Sequence, residues 1–204
     1  MIESTLPSLR PVYETHLWCH RGHFNTDQAL LVAEVCAQIA PRYALEVGFC
    51  TGRSAASVLH ATRSVLRRMV SLDRDLGYKA PEGRFMARLL CAEFPTFSVI
   101  EQPSQRILGP AFFRASFGDG VDLAIIDGGH SYEECSFDLQ AAASALSYHG
   151  VILVDDFHSG PPNGVAFDTV NAGVDDFMQR HRSSFVGQSW HKEGKGMCLI
   201  RRRT

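Results

Sequence analysis

Three aspartates follow two apolar runs in the second half of the chain. Asp127 comes directly after the run 123–126, and Asp155 and Asp156 come directly after the run 150–154. Continuous apolar runs of this length are typical of strands that are buried on both faces of a parallel sheet. Ligands of open α/β sheets bind where the carboxyl ends of such strands meet. We therefore expect the three aspartates to lie together at one edge of a sheet.

Carboxylates gathered in this way would repel one another, and their pKa values would rise if nothing balanced the charge. A divalent cation removes the conflict, and Mg²⁺ prefers oxygen ligands of this kind. The sequence thus favours a metal site at this edge. The alternative is that one or two of these side chains only cap the segments that follow or bind water.

A histidine lies close to the first of these aspartates. His130 is three residues after Asp127, and a histidine can take a proton near neutral pH. Beside a cation that binds a hydroxyl group, it could act as the general base that ionises this hydroxyl. The alternative is that His130 only caps the helix that begins near Ser131. His158 is a second-choice base.

Residues 43–56 combine an apolar strand, a glycine turn and the start of a helix. Gly48 and Gly52 interrupt the run, and Ser54 with two alanines follows them. Such a turn directs backbone N–H groups and a helix N-terminus at one concave spot, and glycine permits the sharp bend and the close approach of a ligand. The spacing alone is also compatible with an ordinary strand–helix turn, but the charged Glu46 within the strand favours a binding loop.

The pattern formed by Glu46, Gly48, Gly52 and Ser54 resembles motif I of the class I S-adenosylmethionine-dependent methyltransferases. In that family the loop wraps the methionine part of the cofactor, so the resemblance implies that these four residues bind S-adenosylmethionine. Cys50 occupies a position where the dinucleotide fingerprint G-x-G-x-x-G has glycine. This difference argues against a nicotinamide cofactor.

Two further cofactor contacts are expected at the ends of the second and third strands. Asp73 ends the second apolar run, about 20 residues beyond the glycine turn, where a carboxylate can accept both ribose hydroxyls; Asp75 is the rival for this role. The stretch VIEQPSQRIL resembles catechol-type O-methyltransferases. This likeness implies that Ser104 and Gln105 contact the adenine, whereas helix capping by Ser104 is the alternative, and both roles could hold.

The stretches IDGGHSYE and VLVDDF resemble the metal-dependent small-molecule O-methyltransferases, especially the branch that acts on sugar hydroxyls of macrolides. This resemblance covers roughly residues 26–160. It implies that Asp127, Asp155 and Asp156 are the metal ligands, that Asp127 also contacts the cofactor, and that His130 is the general base. Catechol-type relatives have lysine at this last position, which argues against a catechol as the acceptor.

The elements that must position these residues alternate between strand and helix along the chain, and this pattern predicts one doubly wound, Rossmann-like α/β domain over residues 1–204. The resemblance implies a sheet of seven mostly parallel strands with an antiparallel last strand. Residues 1–25 are expected to be an irregular segment. Residues 157–164, which are rich in proline and glycine, are a candidate substrate loop.

Composition excludes several other classes of protein. The chain has 204 residues, 45% of them hydrophobic, and a net charge of −2, so no general attraction to nucleic acid is expected. It has no apolar run long enough to span a membrane and no secretory signal pattern. The six cysteines form no C-x-x-C pair, which favours free thiols in a reducing cytoplasm. The role of His16, His20 and His23 stays open.

The sequence therefore predicts a cytoplasmic O-methyltransferase that uses S-adenosylmethionine and Mg²⁺, or another divalent cation, on a small molecule such as a sugar or natural product. The resemblance also implies a homodimer, which no residue requires. Three alternatives stay open. They are a metal-independent methyltransferase on the same fold, an NAD-linked oxidoreductase, and a cofactor-binding protein without turnover.

Overall fold

The computed structural model describes residues 24–78, 81–118, 120–161 and 164–204. Within this part of the chain the strands are β1 (Tyr43–Val47), β2 (Arg68–Asp73), β3 (Phe97–Glu101), β4 (Val121–Ile126), β5 (Leu146–Asp155), β6 (Phe185–Lys192) and β7 (Lys195–Arg202). The helices are α1 (Thr26–Ile39), α2 (Arg53–Ala61), α3 (Gly83–Glu93), α4 (Ser104–Ile107), α5 (Pro110–Phe117), α6 (Tyr132–Ala145) and α7 (Asp168–Arg180).

These strands form one seven-stranded sheet in the order β3-β2-β1-β4-β5-β7-β6. Strands β1 to β5 pair in parallel, and β7 is antiparallel to both of its neighbours. The predicted doubly wound α/β fold with an antiparallel last strand is therefore confirmed.

Helices cover both faces of the sheet because its central strands are apolar on both sides. In β4, Leu123 and Ile125 pack into one core with α1, α2 and α3. The alternate residues Ala124 and Ile126 pack into a second core with α5, α6 and α7. A strand that contributes to two cores has apolar residues at successive positions, because both of its faces are buried. This is why β4 could be recognised in the sequence.

The order of the strands creates a crevice between β1 and β4. These two strands are neighbours in the sheet, yet α2 follows β1 onto one face and α6 follows β4 onto the other. At such a switch point the connections diverge and leave space beyond the carboxyl ends of the strands. Most residues of the candidate site lie around this space.

One predicted boundary differs from the structure. The fifth strand was expected from residue 150, but β5 begins at Leu146, where a register shift pairs this residue with Val121. The helix that follows residues 157–164 begins at Asp168. His16, His20 and His23 lie outside the described residues. Among the helices that the structure describes, none is both long enough and apolar enough to cross a membrane.

Candidate active site

A cavity of about 420 Å³ lies at the carboxyl ends of the central strands. Its walls come from the glycine loop after β1 and from the ends of β2, β4 and β5, with further residues from the start of α4 and from β7. The structure thus brings most of the predicted site residues around one space: Gly48, Ser54, Asp73, Ser104, Gln105, Asp127, His130, Asp155 and Asp156. Glu46 and Gly52 do not line it.

Gly48 allows the glycine loop to lie directly against the end of β4. Its φ is 94°, and a Cβ atom there would be 1.7 Å from the backbone oxygen of Asp127. The two chain segments are also joined by a hydrogen bond from the Asp127 amide to the Val47 carbonyl, 2.8 Å long. A side chain at this position would push the loop away from Asp127, so the glycine is required by packing as well as by the turn.

Asp73 holds the glycine loop from the neighbouring strand. Its Oδ2 accepts hydrogen bonds from the amides of Phe49 at 3.0 Å and Cys50 at 2.9 Å. Its Oδ1 accepts from the amide of Asp75 at 3.0 Å. Both Asp73 and its rival Asp75 line the cavity. Asp73 therefore orders the loop itself, and its predicted contact with a ribose stays a prediction.

Glu46 lies beneath the glycine loop and has no exposed surface. Its carboxylate accepts hydrogen bonds from the hydroxyls of Ser54 in α2 and Ser71 in β2. Burial raises the pKa of this carboxyl to about 7 despite these hydrogen bonds. The geometry gives Glu46 a supporting role, in which it fixes the start of α2, while Ser54 lines the cavity.

Ser104 and Gln105 begin the short helix α4. Pro103 occupies the cap position, and no side chain caps this helix, so Ser104 does not have the capping role considered as an alternative. Ser104 is buried and hydrogen-bonds the carboxyl of Asp138, which is 1% exposed. Gln105 is exposed at the cavity wall. Their predicted contact with adenine stays a prediction.

Asp127, His130 and Asp156 form the polar centre of the cavity. Nε2 of His130 is 3.2 Å from Oδ2 of Asp156 and 4.0 Å from Oδ1 of Asp127. One donor atom from each of the three side chains lies within 4.8 Å of the other two. The predicted convergence of the ends of β4 and β5 is therefore present in the structure.

Asp155 lies beside this centre, but one of its carboxylate oxygens is bound by other groups. Its Oδ1 accepts hydrogen bonds from the side-chain amide of Gln28 at 2.5 Å and from the Asp156 amide at 2.8 Å. Asp156 has a φ of 57°, a left-handed conformation that is uncommon for a residue with a side chain. This turn directs two adjacent aspartates to different positions at the same cavity.

The electrostatics of the cavity favour a bound cation. Burial, together with the charges of Asp155 and Asp156, raises the pKa of Asp127 well above its ordinary value. Burial and the charge of Asp156 raise the pKa of Asp155 to about 7. Nε2 of His130 is buried and makes no hydrogen bond to any described residue. This donor set of carboxylate oxygens and one imidazole fits a divalent cation.

The segment after β5 fixes His130 in place. The His130 ring stacks on Phe167, with ring centroids 4.0 Å apart. The His130 carbonyl accepts a hydrogen bond from the hydroxyl of Thr169, 2.5 Å long. Residues 157–164 were the candidate substrate loop, but the described residues of this segment do not line the cavity, whereas Val165 and Phe167 just beyond it do.

Two other cavity residues were not predicted from the sequence. Lys195 at the start of β7 has a side chain that is only 5% exposed, with Nζ 4.0 Å from Oδ1 of Asp156. Arg53 at the start of α2 is 8% exposed and also lines the cavity. Lysine and arginine in polar stretches usually indicate surface. The one available signal was the position of Arg53 directly after the second glycine of the loop.

Comparisons with known structures show the same fold. Rv0187 from MTB, solved with bound cofactor, is 17% identical with a TM-score of 0.68 over 98% of this chain and 88% of that chain. TomG, an O-methyltransferase of Streptomyces achromogenes involved in tomaymycin synthesis and solved with SAM, is 16% identical with a TM-score of 0.67 over 100% and 89%. The O-methyltransferase from Bacillus cereus, solved with SAH, is 14% identical with a TM-score of 0.68 over 99% and 90%. No curated protein matches the sequence.

The sequence itself matches a family profile described as "Methyltransferase domain" over residues 45–157. This match extends from β1 to the turn after β5, so it includes the glycine loop, Asp73, and the three aspartates with His130. The chain therefore belongs to the methyltransferase domain family, and it is an enzyme with the fold of the class I S-adenosylmethionine-dependent methyltransferases.

Proposed function

We propose that the chain transfers the methyl group of S-adenosylmethionine to a hydroxyl of a small molecule such as a sugar or another natural product. The observation that carries this proposal is the convergence of Asp127, His130 and Asp156 in the same cavity as the glycine loop. A methyl sulfonium is already reactive, so the protein has to supply an ionised oxygen that is held in line with it.

The carboxylates would hold a divalent cation. Asp127 and Asp156 face the centre of the cluster, and Asp155 lines the cavity beside them. When bound, such a cation supplies positive charge that makes a nearby hydroxyl easier to ionise. The raised pKa values of Asp127 and Asp155 support this assignment, because buried carboxylates that repel one another gain most from a cation.

His130 would take the proton from the acceptor hydroxyl. Its Nε2 lies 3.2 Å from Asp156 Oδ2 and makes no hydrogen bond to any described residue, so Nε2 is the ring nitrogen that would accept this proton. The carboxylate of Asp156 would then stabilise the imidazolium that forms, as a carboxylate does for a catalytic histidine in other enzymes. The stack on Phe167 keeps the ring in this orientation.

The experiment is a turnover assay with purified protein, S-adenosylmethionine and a panel of sugar and phenolic hydroxyl acceptors, in the presence of Mg²⁺ or Mn²⁺. Formation of S-adenosylhomocysteine together with an O-methylated product supports the proposal. Calorimetry with S-adenosylhomocysteine and with NAD separates it from the oxidoreductase alternative. Binding of NAD without binding of S-adenosylhomocysteine would refute it, as would methylation of nitrogen atoms alone.

A further inference from the structure

A buried glutamine joins the first described helix to the acidic cluster. Gln28, the third residue of α1, has no exposed surface. Its Oε1 accepts a hydrogen bond from the Asn25 amide at 2.8 Å, and its Nε2 donates to Asp155 Oδ1 at 2.5 Å. Both ends of one side-chain amide are therefore used, one by the helix start and one by the candidate site.

The first of these contacts fixes the orientation of the amide group. The backbone N–H of Asn25 is a donor and needs the side-chain oxygen Oε1 of Gln28 as its acceptor. In turn, the side-chain oxygen Oδ1 of Asn25 accepts a hydrogen bond from the backbone amide of Gln28 at 2.9 Å. This reciprocal pair is a capping box. Because the carbonyl oxygen is held there, the NH₂ group must face Asp155. A flipped amide would place two donors against each other at Asn25 and two acceptors against each other at Asp155.

The second contact fixes the carboxylate of Asp155. Its Oδ1 receives hydrogen bonds from Gln28 and from the Asp156 amide. Its Oδ2 takes no part in these two hydrogen bonds, and Asp155 lines the cavity. The helix start is also held to the end of β6, because Lys192 Nζ lies 2.6 Å from Oδ1 of Asp27. The glutamine is thus a rigid donor rather than a mobile side chain.

We propose that Gln28 is a positioning residue for the cation site: by binding Oδ1 of Asp155, it turns Oδ2 of this carboxylate toward the cavity. This inference rests on the proposed function, since it concerns the cation that Asp127 and Asp156 would hold. Hydrogen-bond partners of metal-ligating side chains set ligand orientation, and their loss typically weakens metal binding by about 10–100-fold.

The test uses Mn²⁺ as the probe and calorimetry on the full chain with saturating S-adenosylhomocysteine. Q28M removes the donor at nearly constant size, and Q28L removes it with a different shape, so a folding defect specific to one of them does not decide the result. N25A is the matched control, because it removes the Asn25 side-chain cap and leaves both contacts of the Gln28 side chain in place.

We expect Q28M and Q28L to bind Mn²⁺ about 10–100-fold more weakly, and N25A to bind it as the parent chain does. The affinity for S-adenosylhomocysteine should be unchanged in all three. Parental Mn²⁺ affinity in the Gln28 variants would overturn this inference, as would an equal loss in N25A, and both results leave the proposed function standing. A parent chain that binds S-adenosylhomocysteine but no Mn²⁺ would overturn this inference together with the cation part of the proposed function.

Discussion

Nε2 of His130 lies 3.2 Å from Oδ2 of Asp156, so the connection between β4 and α6 meets the end of β5 inside one cavity. A carboxylate next to an imidazole serves two purposes. It orients the ring, and it stabilises the positive charge that appears when the ring accepts a proton. The same pair could instead bind one cation together with Asp127. The two roles of His130 make different predictions.

The substitution H130Q distinguishes a base from a metal ligand. If His130 is the base, turnover should fall by about 10²–10⁴-fold, which is the usual contribution of general base catalysis. Binding of Mn²⁺, measured by calorimetry, should change little, because Asp127 and Asp156 keep their oxygens. Loss of Mn²⁺ binding in step with turnover would show that His130 is a ligand, and the assignment of the base would be wrong.

Removal of the cation should stop turnover without releasing the cofactor. With EDTA present, we expect turnover to fall at least about 100-fold, since a bound cation contributes several kcal/mol to charge stabilisation. Added Mn²⁺ should restore turnover and raise the midpoint of thermal unfolding, because a ligand that binds only the folded state stabilises it. Full turnover after chelation would favour the metal-independent alternative.

Glu46 should make the stability of the fold depend on pH. Burial raises the pKa of its carboxyl from 4.5 to about 7, so between these pH values the folded chain keeps a proton that the unfolded chain releases. The free energy of unfolding should therefore decrease as the pH rises through this window, and this carboxyl contributes about 3 kcal/mol to the decrease.

The substitution E46Q tests this contribution. Guanidinium-induced unfolding at pH 5 and pH 8 should show a smaller loss of stability in E46Q than in the parent chain. A part of the pH dependence should remain, because burial also raises the pKa of Asp138 to about 6 and that of Asp155 to about 7. Equal pH dependence in the two proteins would mean that Glu46 is not buried as described.

Gly48 should be intolerant of any side chain. A Cβ atom in G48A would lie 1.7 Å from the Asp127 carbonyl oxygen, at a φ of 94°. We expect a loss of about 1–3 kcal/mol from backbone strain alone, with weaker binding of S-adenosylhomocysteine. Gly109 is the matched control, because a Cβ atom there meets nothing within 4 Å and its φ of −163° is accessible to alanine. Equal stability of G48A and G109A would contradict this packing.

The fold and the centre of the site could be predicted because they depend on local patterns. The apolar runs before Asp127 and Asp155 mark buried strands, and the end of a strand in a parallel sheet determines where its last side chain lies. The hydrogen bonds of Glu46 were harder to predict from the sequence, because a charged residue before a glycine turn is also typical of a ligand contact. Only the three-dimensional structure shows Ser54 and Ser71 enclosing its carboxylate.

Other contributions to the site depend on long-range packing. Gln28 reaches Asp155 across 127 positions of the sequence, and its place in a capping box gives no hint of a second role. Lys195 directly follows the polar turn between β6 and β7, yet its side chain is buried at the cavity. Phe167 lines the cavity, whereas Phe113 and Phe157 belong to the core.

The most direct test of this account is a crystal structure of the chain with S-adenosylhomocysteine and Mn²⁺, with anomalous data collected for the ion. The account predicts an anomalous peak within ligand distance of Asp127 and Asp156, with the methionine part of the ligand against the loop at Gly48. Ligand density at the loop with no peak at these carboxylates under saturating Mn²⁺, or a peak only elsewhere on the protein, would contradict it.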